Sequence, residues 1–264
     1  MSWLKAYPTL LKVYYARSIE YRGQLLIWIL SSVLPLVMML VWVQIANTQG
    51  PINGFSSVDF VEYYLLVTLF RRLTGAWIFW DVDADIRHGS LSPQLLKPIH
   101  PMHHLMTRVI SSKPIQIIIV LPPIIIASVL VCAQYDVRPQ TLALAFFATA
   151  GALVIEFLVQ AIIGSFAFWI SHGEAIADVW FWTRSLLSGW IIPLAMFPAA
   201  LQSLLIYLPF RYCLAFPIEI VLGGLTPDQI AQGLVIQFTW VGVFFALFQV
   251  VWRRGLKSYG AVGA

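Results

Sequence analysis

Apolar runs near twenty residues recur along this sequence. A run of that length crosses a bilayer core of ~30 Å as a single α-helix. The chain is 60% hydrophobic and only 11% charged, against about 25% charged in soluble domains. A membrane β-barrel needs ~10-residue segments of strict alternation, whereas Ile117–Leu121 and Leu142–Ala148 are continuously apolar. The expected fold class is therefore an all-α integral membrane domain.

Six spans are expected, at about residues 25–46, 59–80, 113–133, 141–170, 180–197 and 234–252, within one domain covering 1–264. This layout places eleven of the sixteen Lys and Arg on one side, two on the other (Arg138, Arg211) and three within spans (Arg71, Arg72, Arg184). That is the positive-inside asymmetry, and it puts both termini in the cytoplasm. The first apolar run is too long for a signal-peptide core and lacks a small-residue cleavage site, so it is read as an uncleaved anchor. Residues 1–24 precede it as an interfacial amphipathic helix. Trp3, Tyr7, Leu10, Leu11, Tyr14 and Tyr21 form one face, at headgroup depth, and Lys5, Thr9, Lys12 and Glu20 much of the other. Pro122-Pro123 should kink the third span.

Residues 198–233 are apolar but broken by Pro198, Pro209, Pro217, Gly223, Gly224 and Pro227. The pieces are too short to span, and broken helices at membrane depth must pack in protein or line a cavity. They read as an outer re-entrant hairpin; an ordinary amphipathic outer loop is the alternative. Cys132 and Cys213 both fall toward the outer side. They are read as two small buried thiols, although an oxidising compartment would permit a disulfide.

The longest polar interval is Trp80–Pro101, in the cytoplasmic loop 81–104. Asp81, Asp83 and Asp85 alternate as in a calcium loop, but the glycine and final glutamate of an EF-hand are missing. They suit instead the start of a short helix, with Gly89 ending it and Pro93 beginning another. Ile86 and Leu91 are then apolar knobs and Arg87 a charged contact for a soluble partner; a plain solvated loop is the alternative. His100, His103 and His104 are close enough for zinc, but no Cys or carboxylate completes a ligand set and Pro101 interrupts the helix. Within the spans, Glu156 is expected to pair with Arg71 or Arg72, because intramembrane charges face each other or a cavity. Such a pair either fixes packing or lines a path. No phosphate-binding loop, zinc-protease or nucleophile-elbow motif occurs, so any ATP must act on another chain.

Asp85-Ile-Arg-His-Gly-Ser-Leu91, Leu95-Leu-Lys-Pro-Ile99, Leu208-Pro-Phe210, Phe216-Pro217 with Gly223, and the tail Trp252–Gly263 together resemble ABC-2 type permease subunits of the small bacterial six-span subfamily. The resemblance implies an exporter permease in the bacterial plasma membrane, dimeric with an identical or sibling permease and driven by two copies of a separate ATPase. Asp83, Asp85, Ile86, Arg87, His88, Gly89 and Leu91 would form the ATPase-coupling segment. His172, Glu174 and Asp178 would make a second contact. Pro198, Pro209, Phe210, Pro217 and Gly223 would shape the outer re-entrant segment. ATP and magnesium would belong to the partner, with no cofactor, metal or nucleic acid for this chain. An amphipathic, lipid-like or drug-like cargo suits the uncharged, aromatic-rich spans. The competing readings are a gradient-driven carrier using Arg71, Arg72 and Glu156, and a membrane metalloenzyme using the histidine cluster.

Overall fold

The computed structural model describes residues 3–20, 33–170 and 173–260, with side chains in the first stretch from Tyr7 to Ala16. All of its regular elements are helical. In chain order they are α1 (Trp3–Glu20), α2 (Val33–Gln49), α3 (Ser57–Thr74), α4 (Phe79–Arg87), α5 (Leu91–Leu95), α6 (Pro101–Leu130), α7 (Pro139–Ser165), α8 (Glu174–Leu187), α9 (Ala199–Leu205), α10 (Pro209–Cys213), α11 (Ala215–Val221) and α12 (Pro227–Ser258). Short 3₁₀ turns follow α7 at Phe166–Phe168 and precede α9 at Leu194–Met196. Residues 101–130, 139–168 and 227–258 are long and apolar enough to cross a membrane, and α2 is a shorter apolar helix.

α3 and α7 form the centre. α3 begins at a capping box in which Asp59 N–H donates to Ser56 Oγ (3.3 Å) and Ser56 N–H to Asp59 Oδ2 (2.6 Å). It is buried on nearly every side, through Phe60, Tyr63, Tyr64, Val67 and Phe70, as expected of a helix surrounded by others. In α7, small residues set the spacing. A side chain at Gly151 would strike Gln237 of α12, and one at Gly164 would strike Val82 of α4. Gln237, fully buried, donates from Nε2 to Ala148 O (2.8 Å) and Tyr212 O (3.0 Å). It thereby serves a carbonyl at the break between α10 and α11.

Three expected spans take a different form. Residues 59–80 do not make one helix: α3 stops at Thr74, Gly75 is extended (ψ 131°), and α4 starts afresh at Phe79. Arg71 and Arg72 thus lie in the last turn of α3 rather than two turns inside it. Residues 180–197 are likewise divided. α8 begins earlier, at Glu174, and ends before Gly189, whose φ of +87° suits a residue without a side chain. The third helix is longer than expected, because Pro101 occupies its first turn and starts it. It runs on through Pro122-Pro123 to Leu130.

α1 packs on α6. Tyr7, Leu10, Leu11 and Tyr14 are half-buried while Thr9 and Lys12 are exposed, so the two faces divide as the sequence indicates. Protein rather than the headgroup layer covers at least part of the aromatic face: Tyr7 Oη meets His103 Nδ1 at 2.5 Å, and Ser111 Oγ donates to Leu11 O (3.4 Å). The expected first span falls partly on residues outside those described.

The middle of the broken segment, residues 209–221, is closely packed, whereas residues 198–208 are largely exposed. Tyr212, Cys213, Leu214, Ala215, Phe216, Ile218 and Ile220 are all buried, against α3, α7 and α12. Pro198 precedes α9, Pro209 opens α10, Pro217 lies in the first turn of α11, and Gly223 (φ +71°) follows the end of α11. Phe210 packs its ring on Trp180 (5.4 Å between centroids). Arg211 and Glu219 pair at 2.5 Å and staple α10 to α11. Cys132 is exposed, Cys213 is buried, and both are free thiols.

Candidate functional site

Two places concentrate polar chemistry: the α4–α5 loop and the end of α3.

In the loop, each acid has a partner. Arg108 Nη1 donates to Asp81 Oδ1 (2.6 Å), and its second amine reaches Oδ2, which ties α4 to α6. Arg87 makes a two-point contact with Asp83 (2.7 and 2.9 Å) one helical turn away. Ser90 Oγ donates to Asp85 Oδ1 (2.6 Å). Gly89 (φ +75°) ends α4 as the sequence indicates. Pro93 falls inside α5 rather than opening it, since Ser90 precedes its first residue, Leu91.

The apolar knobs are not where the sequence suggests. Ile86 (5% exposed) and Leu91 (1%) point inward and pack with Val82, Met102 and Trp252. The periodicity explains this: Val82 and Ile86 are four residues apart on one face of α4. The apolar residue presented outward is Leu96, 89% exposed, beside exposed Leu95 and Lys97 and close in sequence to exposed His88. Its signal was available as the leucine pair Leu95-Leu96 at the end of a five-residue helix, too short to bury both.

Arg87 also donates from Nη2 to Ile170 O (2.9 Å) and feels the charge of Glu174. The two contact regions expected from sequence, the α4 loop and the turn before α8, therefore adjoin. Glu174 and Asp178 are exposed. His172 lies outside the described residues.

The loop is backed by protein. Gln160 Oε1 accepts from Phe79 N–H (3.3 Å) at the start of α4. From α12, Trp252 lies 5.3 Å from His100 and 5.6 Å from Phe168, ring to ring. Tyr259 Oη is 3.2 Å from Ser92 Oγ. A side chain at Gly255 would enter the Phe168 ring, so this glycine allows the tail to close on the loop. Burial, with His103 nearby, pushes the His100 imidazole below its ordinary pKa. Its Nδ1 accepts from Met102 N–H (3.3 Å), capping α6. Among the described residues no three His, Cys, Asp or Glu side chains are arranged as metal ligands.

At the end of α3, the expected ion pair has a different cation. Glu156 Oε1 accepts from Arg184 Nη1 of α8 (2.9 Å), and both residues are buried. Arg71 instead lies over the Trp190 ring, with its guanidinium carbon 3.3 Å from the centroid. Sequence reasoning missed Arg184 as the partner because the break after α8, which brings Trp190 to α3, is not visible in a hydropathy pattern. α3 fixes that break directly: Tyr63 Oη donates to Gly189 O (2.6 Å) and Tyr64 Oη to Ile191 O (2.7 Å).

Lys113, also missed, is buried with Nζ donating to Arg72 O (2.8 Å) and Gly75 O. An ammonium at a helix C-terminus satisfies carbonyls left over there and complements the dipole. Lys113→Met is expected to destabilise the protein by about 2–4 kcal/mol, because it removes two hydrogen bonds and leaves buried carbonyls unsatisfied. Faster hydrogen exchange at residues 75–79 checks it; unchanged exchange there would show that the break does not depend on the lysine.

A helical bundle with membrane-length apolar helices, a broken segment partly buried among them and a protein-backed polar loop defines a multi-pass membrane protein. The family model described as ABC-2 family transporter protein matches residues 32–263. The chain belongs to that family and is a permease component of an ABC transporter, a non-catalytic membrane subunit of a family that generally works with an ATPase subunit. No curated protein matches the chain.

Proposed function

We propose that this permease forms the transmembrane pathway of an exporter for amphipathic cargo, and that a separate ATPase, which binds the ATP and magnesium, drives it through the α4–α5 loop. The clustering of Lys and Arg near α1, the α4–α5 loop and the end of α12 supports this reading, since the positive-inside tendency would put α4, α5, the start of α6 and the basic end of α12 on the cytoplasmic side of a bacterial plasma membrane. The pathway would run between two permeases, identical or sibling, above two ATPases.

The observation that carries the docking assignment is the contrast within the loop. Ile86 and Leu91 anchor it inward, while Leu96 stands 89% exposed. Asp81–Arg108 and Asp83–Arg87 stiffen the elements behind it. A rigid base with an exposed apolar tip transmits a push, because force applied at Leu96 moves α4, and α4 packs on α7 through Gly164. Arg87, Glu174 and Asp178 make the charged rim, with His88 and Gly89 at the turn.

Leu96→Asp tests it. An apolar hot spot seated in a partner's groove contributes about 2 kcal/mol or more. Purification from native membranes should then recover a P-loop protein with the wild type and about thirtyfold less with the variant, at unchanged melting temperature. Full recovery with Leu96→Asp would place docking elsewhere. A wild type that brings no ATPase would remove the function as proposed.

A further inference from the structure

Around the end of α3, three basic side chains (half-buried Arg71, buried Lys113 and buried Arg184) lie near the buried acid Glu156. The fold supplies oxygen acceptors to two of them. Arg184 takes Glu156, at 2.9 Å. Lys113 takes the carbonyls of Arg72 and Gly75. Arg71 has the face of Trp190, and its Nη1 is buried without a hydrogen-bond partner. The charges it feels are Arg184 and Arg72, of like sign, and Glu156, which Arg184 already holds. Among the described residues no carboxylate forms an ion pair with Arg71. The end of α3 offers it only about half a negative charge.

A guanidinium nitrogen buried without an acceptor is unfavourable and is relieved by an oxygen brought to it. Its plane is fixed against an indole, so little side-chain entropy would be lost in forming a further bond. A free N–H on a fixed guanidinium suits a carboxylate or phosphate oxygen, where the bond is charge-assisted and short. The neighbouring surface is apolar and aromatic: Trp77, 58% exposed, lies 5.7 Å from Phe181, ring to ring, and Phe181 lies 5.8 Å from Trp190. A free inorganic anion would gain nothing from those rings, whereas an acyl or aromatic body would.

We infer that Arg71, backed by Trp190, binds the acidic headgroup (a phosphate ester or carboxylate) of an amphipathic molecule whose apolar part lies along Trp77 and Phe181. That this molecule is the cargo rests on the export reading above.

The test uses the full-length permease in dodecyl maltoside micelles doped with trace radiolabelled phosphatidic acid or phosphatidylcholine of identical chains, and reads lipid retained after gel filtration. The wild type should retain phosphatidic acid about tenfold over phosphatidylcholine, the worth of one charged hydrogen bond. Arg71→Gln should abolish the preference, and Arg71→Lys should keep part of it. Equal retention of both lipids by the wild type overturns the inference, independently of how any variant folds. Displacement of phosphatidic acid by 50 mM inorganic phosphate (roughly a thousandfold excess over protein) would make this a site for soluble anions and overturn it too. Loss of the preference in Arg253→Gln/Arg254→Gln, with Arg71 intact, would assign the lipid to the basic tail instead. No ATPase is present in this assay, so failure here alongside intact ATPase recovery sinks the headgroup assignment alone.

Discussion

Glu156→Leu is expected to cost about 3–5 kcal/mol, because it strands Arg184 in a buried site beside Arg71. The interaction cannot be replaced locally: among the described residues Glu156 is the acid paired with Arg184, and α7 around it is apolar. A drop of roughly 10 °C in the melting temperature of the detergent-purified permease should follow. The double variant Glu156→Leu/Arg184→Leu should recover much of the loss, since apolar residues of similar volume often replace a buried pair at little cost. A single variant that melts with the wild type would mean the pair has no structural role.

Ile86→Asp should be nearly as damaging, for a different reason. Ile86 belongs to a buried apolar cluster with Val82, Leu91, Met102 and Trp252, against which Leu105 packs. The change loses the transfer energy of a buried isoleucine, about 2–5 kcal/mol with its cavity, and leaves a carboxyl group without a hydrogen-bond donor. The loop should detach from α6 and α12 while the rest of the bundle persists. Proteolysis between Arg87 and Lys97 should rise sharply, and ATPase recovery should fall as a consequence. Leu96→Asp, in contrast, should lose ATPase recovery with the loop still protected. If Ile86→Asp leaves the loop protected, the inward anchoring is wrong and Ile86 returns as a candidate contact.

Much of the architecture was legible because bilayer thickness imposes a length on apolar runs. α7 and the core of α12 follow from hydropathy alone, and Gly89, Gly223 and the prolines of the broken segment mark real helix ends. Helix interruptions inside apolar runs were not legible. Residues 59–80 and 180–197 are apolar enough to read as single helices, yet each breaks at a glycine, and distant side chains serve the carbonyls around it. Lys113 serves one break; Tyr63 and Tyr64 serve the other. Such partners are separated by 38 to 127 positions, beyond any local pattern.

The candidate sites divide in the same way. Local spacing correctly put a short helix and a glycine stop in the loop, and it marked Arg71, Arg72 and Glu156 as unusual. It did not decide whether Ile86 or Leu96 is the apolar residue left exposed, because the two side chains are similar and differ mainly in what surrounds them.

By itself, the sequence determined an all-helical membrane domain with a polar loop, the lack of a recognisable ATP-binding motif, and several of the positions at which helices must stop, since these depend on side-chain polarity, backbone freedom and run length. Only the tertiary structure decided that Arg184 rather than Arg71 pairs with Glu156, that Leu96 rather than Ile86 faces outward, and that Arg71 is left against an indole. The choice among chemically equivalent partners depends on which helices pack together, and that is settled by small residues such as Gly151, Gly164 and Gly255 allowing close approach across the whole chain.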